Sequence, residues 1–392
     1  MKKLLLAAVV ACACGPAKPV DTDPLPFEAA SLTASPDPTK PGPYPVGVRT
    51  VTYEDTGRRK PDGSPRILVT EIWYPATQDT RGKEGVSYDI TTLLTDSQRA
   101  NLGNAIVPIL KTDAVRDAPI AKTHGPFPLI MFGHGQGAVR FQSTYLTVLL
   151  ASHGYIVVAP DHEGGTLYDA LRDQLQNVAI GVETRPQDLI YLINRLGRLP
   201  EGDPLIGMIN FDKIGMTGHS FGGLASLRAA AMDKRIKAIV PQSPPNADIC
   251  WLGLPQPVKL DIPVMLQSGG LDKTLKFDEH ITPTWPLLSK PRYMLKVNKG
   301  GHFTFSDLCG FDLVRIASSI KIEIPGANLD NVLNDGCGTE APVASVAQPI
   351  INNYAIGFFN VYLRGSEGTK ARLNQAAADA LTPGVSEFTA DP

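Results

Sequence analysis

The chain is poor in charge and shows no excess of either sign. Only 19% of its 392 residues are charged, 37 basic against 39 acidic, for a formal charge of −2. No block of like charge occurs along it, so nothing in it would hold a polyanion, and nucleic acid is set aside as a partner. Long apolar runs are also missing: beyond the first eleven residues no segment approaches the roughly 20 apolar residues needed to cross a bilayer. Spaced metal ligands are lacking too. Asp161-His162-Glu163 has no companions at metal-site spacing and reads as loop scaffolding, so neither metal nor cofactor is expected. No internal repeat is present. What remains is 43% hydrophobic, enough to bury one large core or two smaller ones.

The N-terminus is organised differently. Met1-Lys2-Lys3 precedes the apolar run Leu4 to Ala11, which is too short to span and reads as an export signal over residues 1–11. Its end, Val9-Val10-Ala11-Cys12, resembles a bacterial lipobox, which implies lipidation of Cys12 at the mature N-terminus. Ordinary secretion after cleavage at a small-residue site is the alternative. Residues 12–45 are crowded with Pro, Asp, Thr and Ser without apolar periodicity and read as a tether. The expected location is the cell envelope, with the membrane reached through the N-terminal lipid, or the exterior.

From residue 46 onward two patterns alternate. Val46 to Glu54 and Arg66 to Tyr74 alternate as antiparallel strands around an Asp62-Gly63 turn, predicting an N-terminal edge hairpin. Phe127 to Phe132, Tyr155 to Ala159, Ile236 to Val240, Pro263 to Leu266 and Tyr293 to Val297 are short continuous apolar runs of the kind buried in parallel sheets. Helical stretches at Ser143 to Ala151, Asp188 to Leu196 and Ala347 to Tyr362 fall between or after them, the last with Gly365 as its stop. The expectation is one α/β domain over residues 46–365, a mostly parallel central sheet with helices on both faces. Residues 77–125, with a helix-like stretch from Thr95 to Leu110, and residues 303–345 read as insertions. Residues 366–392 read as a C-terminal tail.

The most specific local signal is Gly218-His219-Ser220-Phe221-Gly222-Gly223, set between an apolar strand pattern at Lys213 to Thr217 and a helix-forming run. Glycines two residues either side of Ser220 remove the Cβ atoms that would clash in a sharp strand-to-helix turn, leaving the serine Oγ exposed. A serine hydroxyl is a weak nucleophile at neutral pH and requires an imidazole base, itself oriented by a carboxylate. Two histidines come after Ser220. His280 sits in a charged helical run, whereas His302 follows Gly300-Gly301 directly after a strand, at the sheet edge where the serine emerges. Among the acids, Asp272 in Gly269-Gly270-Leu271-Asp272 follows a strand to that same edge. Asp261 precedes its strand, and Asp248 lies at a distance from the previous one. Donors for a developing oxyanion are expected from Phe221 N–H and from Gln136 N–H in Gly133-His134-Gly135-Gln136-Gly137.

Pro128 to Ala138, Ala151 to Ala159 and Gly218 to Gly223 together resemble the plasma-type platelet-activating-factor acetylhydrolases. The likeness covers about residues 45 to 365 and implies an α/β-hydrolase fold, Ca²⁺-independent ester hydrolysis, Ser220 as nucleophile and Gln136 and Phe221 as the oxyanion hole. One departure stands out. The family's acid follows the strand after the elbow helix, and here Pro241-Gln242-Ser243 holds no carboxylate. Gly269-Gly270-Leu271-Asp272 with Gly301-His302-Phe303 looks more like bacterial polyester hydrolases and dienelactone-hydrolase-like proteins. The expectation is therefore an exported serine esterase with a Ser220, Asp272, His302 triad, acting on a small-molecule, lipid or polymer ester. The same triad would serve a peptidase or acyltransferase, and a non-catalytic surface binding module is the reading from another class.

Of five cysteines, Cys12 and Cys14 lie ahead of the domain. Cys309 and Cys337 bracket the insertion after His302 in loop-like settings and are expected to be bonded, with Cys250 left over.

Overall fold

Continuous apolar strands sort their side chains to two faces. In Phe127–Gly133 (β6) Leu129 and Met131 point to one buried layer, Ile130 and Phe132 to the other; Ile156–Pro160 (β7) divides in the same way between Ile156 with Val158 and Val157 with Ala159. This period-two partition requires cover on both sides, and the helices supply it. The structure is a computed structural model that describes residues 36–392 apart from 61, 104–106, 257, 312 and 321–333. The expected signal peptide, the expected lipidation site Cys12 and most of the expected tether lie outside the described residues.

The hairpin strands are Val46–Arg59 (β1) and Pro65–Pro75 (β2). They pair antiparallel, and β2 pairs antiparallel with β7. Ser87–Tyr88 (β3) and Leu110–Lys111 (β4) form a separate small sheet, and Val115–Arg116 (β5) adds to β1. Past β6 and β7, Ile209–His219 (β8), Ile236–Gln242 (β9), Val264–Gly269 (β10) and Arg292–Val297 (β11) complete the parallel body. With Ser386–Asp391 (β12) the order is β12-β11-β10-β9-β8-β6-β7-β2-β1-β5. The fold is the mostly parallel, doubly covered α/β sheet that the strand pattern predicts, and among the described residues no strand closes it into a barrel.

The helices are Asp96–Leu102 (α1), Thr144–Ser152 (α2), Leu167–Ala170 (α3), Val178–Leu196 (α4), Phe221–Met232 (α5), Ala247–Cys250 (α6), Phe277–Thr284 (α7), Leu313–Ser319 (α8), Ala344–Arg364 (α9), Glu367–Lys370 (α10) and Gln375–Leu381 (α11). Leu146, Leu150, Tyr354 and Phe358 of α2 and α9 cover one face; Leu189, Leu192, Leu224 and Leu227 of α4 and α5 cover the other. No helix of the described residues is long and apolar enough to cross a membrane.

Four boundaries depart from the sequence reading. Residues 366–392 are not a loose tail: β12 pairs antiparallel with β11, and Phe388 stacks on Tyr354 at 4.1 Å. The tether ends earlier than residue 45, since Tyr44 is buried against Phe127 and the N–H of Gly42 donates to Ser152 Oγ at 2.8 Å. The helix expected over Thr95 to Leu110 stops at Leu102, because Gly103 turns to φ 58°. Helix α4 begins at Val178, ten residues before the expected Asp188, with Asn177 accepting from Ala179 N–H at 2.8 Å.

Candidate functional site

The site is assembled at the carboxyl edge of the parallel strands, where β6, β8, β10 and β11 all end. Strand β8 runs into α5 through Ser220, which sits at φ 55° and ψ −116°, a region costly for any residue with a Cβ. Its N–H donates to Gln242 O at 2.8 Å. The glycines around it are required by contact as well as by conformation. A Cβ on Gly222 would fall 1.9 Å from Gly133 O, and one on Gly218 would fall 2.6 Å from that same oxygen. Strand β6, strand β8 and helix α5 thus meet backbone to backbone. The half-buried Ser220 is carried above that contact.

Asp272 and His302 are joined. The imidazole Nδ1–H donates to Asp272 Oδ2 at 2.8 Å, with Asp272 only 3% and His302 4% exposed. The other carboxylate oxygen, Oδ1, accepts from Thr274 N at 3.0 Å and Leu275 N at 2.7 Å. This fixes the tautomer: Nδ1 carries the proton toward Asp272, and Nε2 is the basic nitrogen. Beside the pair lies Asp335, which the sequence reading passed over. Its Oδ1 accepts from His302 N at 3.1 Å, and its Oδ2 accepts from Lys273 N, Thr274 N and Thr274 Oγ1 at 2.8 to 2.9 Å. One buried carboxylate therefore clamps the acid loop to the histidine loop. Two residues further on, Cys337 is bonded to Cys309 with Cα atoms 5.1 Å apart, and Cys250 is buried and free.

His219, next to Ser220, packs its ring 4.6 Å from that of His302. Burial first, and then the neighbouring His302, holds its pKa well below the usual histidine value, so it is neutral. Three loops are then tied by one chain of hydrogen bonds. Gly135 N–H donates to Gln142 Oε1 at 2.7 Å, Gln142 Nε2 donates to His219 Nδ1 at 2.6 Å, and His219 Nε2–H donates to His302 O at 2.9 Å. Asp307 N–H adds a bond to Gln142 O at 2.8 Å.

Gly135 lies directly against the serine; a Cβ there would be 3.6 Å from Ser220 Cβ. The amides flanking Gln136 are committed elsewhere, Gly135 to Gln142 and Gly137 to Gly165 O at 2.9 Å. Phe221 is the first residue of α5, so its N–H has no carbonyl one turn back within the helix. Behind this loop stands the fully buried Arg185 of α4. Its guanidinium reaches His134 O at 3.0 Å, Gly135 O at 3.4 Å, Gly165 O at 3.0 Å and the Gln136 side-chain oxygen, and it lies 4.4 Å over the Phe221 ring. Burial lowers its pKa to about 9, which still leaves a cation at neutral pH.

Other sequence candidates are elsewhere. Asp248 is exposed on α6, Asp261 pairs with Lys259 at the opposite sheet edge, and His280 accepts from Asn246 N–H at 3.1 Å. Asp161, His162 and Glu163 diverge to Arg140, Asp188 and Lys60, and the described residues contain no cluster arranged to hold a metal. His134 bonds locally, donating from Nδ1 to Gly135 O at 2.7 Å.

Comparison with known proteins gives a consistent picture. Residues 120–317 match the PET hydrolase-like family, and residues 31–177 match platelet-activating factor acetylhydrolase, isoform II. A platelet-activating factor acetylhydrolase of Canis lupus familiaris is 24% identical over 330 residues, 71% of this chain and 70% of that protein. A bis(hydroxyethyl) terephthalate hydrolase of Streptomyces coelicolor is 25% identical over 189 residues, 47% of this chain and 54% of that one. Among solved structures, a ferulic acid esterase from Streptomyces cinnamoneus superposes with a TM-score of 0.64 at 26% identity, covering 89% of this chain and 97% of that one.

Proposed function

The chain belongs to the PET hydrolase-like family of ester hydrolases, and on that footing we propose that Ser220, His302 and Asp272 are its catalytic triad. In the first step His302 Nε2 takes the Ser220 hydroxyl proton as Oγ attacks the ester carbonyl, and Asp272 stabilises the imidazolium. The carbonyl oxygen gains negative charge and is received by the N–H groups of Gln136 and Phe221. Collapse expels the alcohol, protonated by His302, and leaves an acyl-serine. Water, deprotonated by the same nitrogen, then releases the acid. The observation that carries this reading is the buried His302 to Asp272 bond of 2.8 Å, packed through His219 against an elbow whose serine is held at positive φ.

The substrate proposed is a carboxylic ester with an apolar acyl or alcohol part. Tyr168, Leu175, Val178 and Ile180 after β7, Ile249 and Leu252 after β9, and Leu271 beside Asp272 are all exposed, in segments that leave the carboxyl ends of their strands. Such a rim favours apolar esters over charged peptides. Relatives named for platelet-activating factor, terephthalate and ferulate esters agree with that class. Export, with Cys12 lipidated and residues 12 to about 40 as a spacer, completes the proposal.

Ser220→Ala tests it. Hydrolysis of p-nitrophenyl butyrate should fall by several orders of magnitude while the folded protein is retained, because the covalent step is lost and packing is unaltered. Turnover within tenfold of the parent would end the triad reading.

A further inference from the structure

Arg185 is expensive to bury and has no carboxylate in contact among the described residues. Asp188, one turn along α4, is already occupied by Arg66, Arg58 and His162, at 2.6 to 2.8 Å. Burial alone would raise the Asp188 carboxyl, and the His162 and Arg66 hydrogen bonds outweigh that and hold it lowered. For fold stability alone, a long apolar side chain would serve as well as a buried cation, since desolvating a charge cancels most of what its contacts return. The partners that Arg185 does have are informative. Apart from Gly165 O they all belong to the residues around one peptide group, His134 O, Gly135 O and the side chain of Gln136, and its face covers Phe221.

Resting on the triad and oxyanion-hole reading above, we propose that Arg185 is the positioning residue of the oxyanion hole, setting the direction and strength of the Gln136 N–H donor through the carbonyl of Gly135. In a trans peptide the C=O of residue 135 and the N–H of residue 136 point in opposite directions. A cation held on the oxygen side fixes the amide hydrogen on the other side, and it draws electron density toward the oxygen so that the N–H becomes a better donor. Gly135 O is gripped from three sides: by Arg185 Nη1, by His134 Nδ1–H at 2.7 Å and by Ala138 N–H at 3.3 Å. The peptide cannot turn over without breaking all three. The second donor is held from the same place, because the guanidinium lies over the ring of Phe221 while Gly181 of α4 leaves room for that ring, a Cβ there falling 3.0 Å from it. The charge also lies behind the site where the carbonyl oxygen becomes negative, so it adds a favourable field in the transition state that the neutral ground state does not feel.

Glycine at 165 is part of the device. A Cβ there would sit 2.2 Å from Arg185 Nη2, and the atom displaced would be the end of a flexible side chain rather than backbone. Gly165→Ala therefore moves the guanidinium without removing it.

The test uses Arg185→Met, Arg185→Lys and Gly165→Ala beside Ser220→Ala in the whole protein. Arg185→Met should lower kcat by about 10²- to 10³-fold, as loss of one oxyanion donor does, with KM for p-nitrophenyl butyrate within about threefold. Affinity for an alkyl boronic acid, which forms a tetrahedral adduct on the serine, should fall in parallel with kcat/KM. Arg185→Lys should recover part of the loss, and Gly165→Ala should lose at least about tenfold in kcat. A merely structural role would lower thermal stability and active fraction but leave kcat per titrated site and boronate affinity unchanged. A folded Arg185→Met protein with kcat within threefold of the parent, or a loss confined to KM, overturns the proposal. If Arg185→Met does not fold, Gly165→Ala decides on the same two readouts. An active Ser220→Ala protein would sink the triad reading itself; an inactive one beside a normal Arg185→Met sinks this inference alone.

Discussion

Replacing Asp272 with asparagine changes one atom, and the surrounding hydrogen bonds determine the consequence. Oδ1 accepts from Thr274 N at 3.0 Å and Leu275 N at 2.7 Å, while Oδ2 accepts from His302 Nδ1 at 2.8 Å. In Asp272→Asn the amide oxygen must stay on the two backbone N–H groups, since the NH₂ group there would face two donors at once. Leaving those donors unpaired costs at least about 2 kcal/mol, enough to keep the amide in one orientation more than about 95% of the time. The NH₂ group therefore faces His302 and donates to Nδ1, which pushes the ring proton to Nε2. The nitrogen meant to take the serine proton is then already protonated. A triad locked in the wrong tautomer loses about 10⁴-fold in kcat, equivalent to about 5 to 6 kcal/mol of transition-state stabilisation. The shape of the side chain is unchanged, so the thermal midpoint should move little. Asp248→Asn, at an exposed position on α6, should leave kcat within about twofold. Initial rates with p-nitrophenyl butyrate, normalised to the concentration of folded protein, read both variants. Asp272→Asn within tenfold of the parent, or Asp248→Asn the more damaging of the two, would refute the assignment.

Asp307 gives a pH prediction. Burial raises its carboxyl to about 6 from the ordinary 3.8, against hydrogen bonds from Thr144 and Tyr145 N–H that lower it. Between those values the folded protein keeps a proton that the unfolded chain releases, so its contribution falls as pH rises through that window, by up to about 3 kcal/mol. Asp307→Asn should flatten the profile and raise the thermal midpoint at pH 8, with Gln348 turning its amide to suit; an unchanged profile from pH 4 to 7 would refute this. The Cys309 to Cys337 bond closes a sequence separation of 28, worth about 3 to 4 kcal/mol in the chain-entropy model. Cys309→Ser with Cys337→Ser should lower the midpoint accordingly, and peptide mapping without reductant should recover the two cysteines joined; free thiols, or either one joined to Cys250, would contradict it.

Much of the candidate site was readable because its determinants are local. The elbow is written in consecutive residues, Gly218 to Gly223, and Asp272 and His302 each follow an apolar strand that can end only at one edge. Arg185, Asp335 and Gln142 left no such mark. Each is a lone polar residue tied to others far off in sequence, 20 to 51 residues for Arg185, 77 for the Gln142 to His219 bond and 33 for the Asp335 to His302 bond. An arginine in a helix reads as a solvated face until tertiary packing buries it. The first turns of α4 were hidden for the converse reason: Val178 and Ile180 are 56% and 52% exposed, so apolar residues there break the amphipathic rhythm rather than announce it. β12 is a six-residue edge strand with Glu387, Thr389 and Ala390 open to water, and its place depends on β11 being there to receive it.

With glycine at 133, 218 and 222, no side chain acts as a spacer between β6 and the helix that follows Ser220. The gap between them is set by the van der Waals radii of main-chain atoms, which are the same in every sequence. Core residues on either face can be exchanged over evolutionary time without the distance from serine to amide donors drifting along with them. The spacing from Ser220 to the backbone of the loop after β6 is thereby uncoupled from the loops after β7 and β9, whose sequences can change without moving it.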